Sequence, residues 1–89
     1  MAQSLKDKVA DALKEAVGAD ARIELEDVPD GKVGGLVLSG SFANQSPSER
    51  QDRIWKHLDA RLSPFERTRV VFIVTDTPAE YEALRKAAV

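Results

Sequence analysis

The five residues VVFIV at positions 70–74 constrain this chain more than any other stretch. They form an unbroken β-branched and aromatic run between Arg69 and Thr75, the pattern of a strand buried on both faces. The segment before it starts with SPSE at 46–49: a capping serine, a proline at the first helical position, and a glutamate three residues after the cap. A helix is predicted from there to about Leu62. A strand, crossover helix and strand in one sheet close with a right-handed crossover, so residues 70–74 are expected to run parallel to the strand that precedes the helix.

That earlier strand is KVGGLVL, with Val33, Leu36, Val37 and Leu38 supplying its apolar content. It follows RIELEDV, in which Ile23 and Leu25 alternate with Arg22, Glu24 and Glu26, as in a strand with one buried face. Pro29, Asp30 and Gly31 between them are turn formers, and an antiparallel hairpin is predicted. Gly34 and Gly35 mark a bulge or a close backbone approach. Ser4 and Asp7 open an N-terminal helix carrying Leu5, Val9, Ala12, Leu13 and Ala16 at helical spacing, and Gly18 ends it. TPAE at 77–80 repeats the capping device before Tyr81, Leu84 and Ala88, which predicts a closing helix. The order is αββαβα, an α+β chain with a three-stranded mixed sheet packed by helices. The 89 residues are expected to make one domain, 1–89.

Several function classes drop out on composition. With no cysteine the chain has no disulfide, thiol nucleophile or zinc–thiolate site, and it cannot hold an iron–sulfur cluster on its own thiolates. The first twenty residues interrupt every apolar run with charge, so no signal peptide is read there and the cytoplasm is the expected location. His57 is the only histidine, and Asp59, two positions on, does not face it on a helix. Ser63 lacks a glycine-rich elbow. No enzymatic activity, metal or cofactor is expected.

The element order, with SGSF at 39–42, Arg50, Ile54, Trp55 and Leu58 on the second helix, and TPAEYEAL at 77–84 after an apolar strand, resembles the BolA family. The resemblance runs from about Ser4 to Leu84. It implies a class II KH-like fold. It also implies work beside monothiol glutaredoxins in iron–sulfur metabolism or, as proposed for some bacterial members, DNA-binding regulation. The family usually carries a histidine after the helix-two arginine, where this chain has Gln51. It carries a ligand histidine at the entrance of the last strand, where this chain has Arg69, and a histidine or cysteine in the hairpin loop, where this chain has PDGKVGG. Arginine has no lone pair to give a metal, so the resemblance supports the fold and a protein partner rather than cluster ligation.

On a helical projection Gln51, Ile54, Trp55, Leu58 and Leu62 share a core stripe. Arg50, Arg53, His57 and Arg61 fall on one flank, and Asp52 and Asp59 on the other. A row of guanidinium groups suits an acidic protein surface or a phosphate backbone. It also suits a solvated flank, with Glu49 and Arg53 paired at i, i+4. Arg67 and Arg69, at the mouth of the last strand, extend the candidate partner-binding set by the family resemblance; by composition they can equally protect a sheet edge. Nucleic acid is the weaker expectation. Residues 46–69 hold six basic against four acidic side chains in a chain of net charge −2, and no GXXG loop joins two helices. Trp55 and Phe72 fall at core positions rather than on a stacking platform.

Overall fold

The computed structural model describes residues 3–87. Helix α1 spans Leu5–Val17, strands β1 and β2 span Arg22–Val28 and Lys32–Leu38, and a single 3-10 turn covers Gly40–Phe42. Helix α2 spans Pro47–Arg61, a short α3 covers Pro64–Thr68, β3 is Val70–Asp76 and α4 is Pro78–Ala87. The expected order therefore holds with two additions, the 3-10 turn and α3. Ala88, expected in the last helix, lies outside the described residues.

Each helix start follows from a side chain able to take a free backbone N–H. The Ser4 hydroxyl accepts from the Asp7 N–H, and at the other end of α1 Gly18, at φ 95°, donates its own N–H to the Lys14 carbonyl. Ser46 and Glu49 form a reciprocal capping box on α2. Ser63, Pro64, Phe65 and Glu66 repeat that device on α3. Thr77 and Glu80 repeat it on α4, with the Thr77 N–H donating to Glu80 Oε1 at 2.8 Å and the Glu80 N–H donating to the Thr77 hydroxyl at 3.1 Å. The sequence pattern thus occurs three times, and the SPFE copy is what separates α3 from α2.

The sheet order is β1-β2-β3. Strands β1 and β2 pair antiparallel from Arg22 opposite Leu38 to Val28 opposite Lys32, and β2 pairs parallel with β3. Asp30 and Gly31 turn the hairpin at φ of 70° and 73°. Helices α1 and α2 pack on one face. Val9, Leu13, Val37, Phe42, Ile54 and Leu58 are completely buried between them and the sheet.

The opposite face is the main departure from expectation. Strand β3 is covered on one side only: Ile73 and Thr75 are buried, whereas Phe72 and Val74 are 42% and 44% exposed. The apolar run that suggested two covered faces has an open one, bordered by Tyr81 and Leu84 of α4. Phe72 is therefore not a core residue. Its ring lies across Gly34, where a Cβ would sit 2.3 Å from the ring, and the register shifts at Val33/Gly34. Gly35 is equally closed in on the other side, with Leu25 Cδ2 at 2.5 Å and the Glu24 carbonyl at 2.9 Å from its would-be Cβ.

Candidate partner-binding surface

The six basic residues singled out in the sequence do not form one surface. Arg50 is buried at 6% exposure. Its Nε donates to the Gln45 carbonyl, Nη1 to the Thr75 carbonyl, and Nη1 and Nη2 grip the two carboxylate oxygens of Glu80 at 2.6 and 3.0 Å. The bidentate pair joins the start of α2 to the start of α4. Together with the Thr77 N–H it draws the Glu80 carboxyl down to about 2. A buried guanidinium with every nitrogen engaged inside the fold is not placed to meet a partner, so Arg50 leaves the candidate set. The neighbouring Gln51 donates to the Ile73 carbonyl and the Thr75 hydroxyl. Two consecutive side chains of α2 thereby cap carbonyls along β3, an edge strand.

Arg53, His57 and Arg61 do lie along one flank of α2, but that flank faces α1. Arg53 donates through Nε to the Ala16 carbonyl in the last turn of α1 at 2.9 Å, and through Nη1 to Ser41 and Gln45. Its guanidinium also lies 5.5 Å from the centre of the Phe42 ring. Arg61 is hydrogen-bonded to Glu15, whose carboxyl it lowers, and His57 Nδ1 is 4.0 Å from the same carboxylate. The i, i+4 pair expected between Glu49 and Arg53 is not formed, because Glu49 is held in its capping box. The basic flank is a seam between two helices.

Arg67 and Arg69 behave differently. They stand at the end of the molecule where the hairpin turn, α3 and the start of β3 meet. Arg69 donates from Nη1 to the Asp30 carbonyl, and its guanidinium stacks 4.8 Å from the centre of the Phe65 ring. Phe65 is 66% exposed, the largest exposure among the big apolar side chains described. Arg67, half exposed, reaches back to Asp59 at 3.1 Å. Beneath them Glu66 closes the α3 capping box and accepts from Lys8 of α1 at 2.6 Å, and that contact lowers its carboxyl. An exposed aromatic ring under a fixed cation on a firmly anchored turn is a compact contact point. Phe65 was missed in the sequence, although the SPFE device that presents it was legible there.

No family model matches the sequence, and no curated protein does. Solved structures do match. A bolA protein homologue from Coxiella burnetii superposes with a TM-score of 0.61 at 20% identity, over 92% of this chain and 99% of its own. A bol-like protein from Babesia bovis gives 0.59 at 17% identity, over 96% of this chain and 95% of its own. The fold is BolA-like. The resemblance carried by SGSF, Arg50 and TPAEYEAL holds at the level of architecture, and the structure gives two of those pieces a physical reason. Arg50 and the Glu80 of TPAE are one ion pair, and the TPAE capping box starts the α4 that completes the BolA-like order. Among the described residues no helix is long and apolar enough to cross a membrane, and no three His, Cys, Asp or Glu side chains converge as metal ligands would.

Proposed function

We propose that this chain is a non-catalytic BolA-like interaction module that docks a protein partner at the mouth of β3. The observation that carries this reading is the exposed Phe65 ring held under Arg69, with Arg67 beside it. Aromatic and arginine side chains are the residues on which protein interfaces most often concentrate their binding energy. The partner class is a monothiol glutaredoxin, taken from the family the chain resembles. Docking proceeds without cluster ligation: the position of the family's strand-entrance histidine holds Arg69, which donates to Asp30, and His57 lies away on the α1–α2 seam beside Glu15. A phosphate backbone is the poorer partner, because Arg50, Arg53 and Arg61 are all engaged within the fold.

The test is an NMR titration of the isotopically labelled chain with a cluster-loaded monothiol glutaredoxin. Amides of residues 30–31 and 65–71 are expected to shift while the visible spectrum of the cluster stays constant. Phe65→Ser should weaken binding roughly tenfold or more without lowering the melting temperature. Absence of shifts, or binding unaffected by Phe65→Ser, removes the docking surface. A changed cluster spectrum removes the claim that no ligand is supplied.

A further inference from the structure

The open face of the sheet carries a groove of about 460 Å³ that the docking surface does not use. Its floor and walls are Leu36 of β2, Phe72 and Val74 of β3, and Tyr81 and Leu84 of α4. Phe72, Val74 and Leu84 are 42%, 44% and 61% exposed, so the face is apolar and uncovered. Helix α4 borders it without burying any of its own residues. The charged lining residues are all acidic, Glu24 and Glu26 of β1 on one side and Asp76 at the end of β3; Arg22, outside the lining, pairs with Glu24 at 2.9 Å, so Glu26 and Asp76 carry most of the uncompensated charge. The alternation of β1 produces this arrangement. Ile23 and Leu25 turn inward to the core, which puts Glu24 and Glu26 on the opposite face beside the apolar row.

We propose that this groove binds a basic amphipathic protein segment, with apolar side chains seated on Leu36, Phe72 and Val74 and lysine or arginine side chains over Glu24, Glu26 and Asp76. Charge selects that occupant. A second copy packed symmetrically on this groove would set one acidic rim against another, and a nucleic acid would bring phosphates to carboxylates. A cationic segment with an apolar stripe satisfies both parts of the site, as in helix-in-groove recognition. This surface lies across the sheet from α1 and α2 and is separate from Phe65.

The probe is a synthetic lysine/leucine amphipathic peptide, compared with a glutamate/leucine peptide of identical apolar face, each titrated into the labelled full chain. The lysine peptide should shift the amides of Leu36, Phe72 to Val74, Tyr81 and Leu84, with affinity falling as salt rises, and the glutamate peptide should not. A Glu24→Gln/Glu26→Gln double variant should bind the lysine peptide roughly three- to tenfold more weakly with an unchanged amide spectrum elsewhere. Equal binding of the two peptides, or shifts confined to other surfaces, overturns the proposal. Concentration-dependent shifts at the same amides without peptide also overturn it, by assigning the groove to a second copy.

Discussion

Arg53 offers the sharpest test of how the basic flank of α2 is used. Replacing it by methionine keeps most of the apolar stem and removes the guanidinium. The lost hydrogen bond to the Ala16 carbonyl is charge-assisted and sits at the C-terminal end of α1, where a cation also meets the negative end of the helix dipole. Such a bond contributes about 1.5–3 kcal/mol when well formed, and the contact with the Phe42 ring adds roughly 0.5–1 kcal/mol. The bonds to Ser41 and Gln45 are replaceable by water and count for little. Arg53 is only half buried, which discounts the total to roughly 2 kcal/mol. For a domain of this size that corresponds to a fall in melting temperature of about 8–16 °C. Urea unfolding followed by the fluorescence of Trp55, the only tryptophan, is a suitable assay because the indole is half buried against the core and hydrogen-bonded to Gln51. Arg22→Met, at an exposed ion pair on β1, is the control and should change stability by less than about 0.5 kcal/mol. If Arg53→Met is as mild as Arg22→Met, the seam is not structural and Arg53 returns to the candidate docking residues.

Two further outcomes are expected. The Glu80 carboxyl is depressed in the folded state from 4.5 to about 2, so its stabilising contribution is present above the unfolded value and is lost as pH falls from about 5 toward 2. Glu80→Gln should therefore flatten that acid limb in a series of urea midpoints against pH, and an unchanged limb would show that Arg50 and Glu80 are not coupled. Gly35→Ala should cost about 1–3 kcal/mol, because the Glu24 carbonyl in its way is backbone; Gly34→Ala should cost less, because the Phe72 ring can swing outward. Equal urea midpoints for the two variants would contradict the packing described at this pair.

Much of the fold was legible because its signals are local. Capping devices at Ser46 and Thr77 need only four residues each, the alternation of Ile23 and Leu25 needs only a strand's length, and Pro29 to Gly31 announce their own turn. The parallel placement of β3 followed from the crossover helix. The candidate site was less accessible, because sequence periodicity reports which side of a helix a residue occupies and not what lies opposite. Arg50, Arg53 and Arg61 were correctly seen to leave the apolar stripe. Their partners Glu80, Ala16 and Glu15 are thirty or more residues away in the chain, and only folding brings them together.

The sequence by itself determined the three strands, the three longer helices, their order, the hairpin and the absence of thiol chemistry, since each depends on residue type or on neighbours within a few positions. Tertiary structure alone decided which charges are spent inside the fold and which remain available, because a guanidinium becomes structural only when a carbonyl or carboxylate is carried to it. The same reasoning covers VVFIV. An apolar run specifies a strand, but whether Phe72 and Val74 are covered depends on where α4 docks, and α4 leaves them exposed at the edge of an acidic groove.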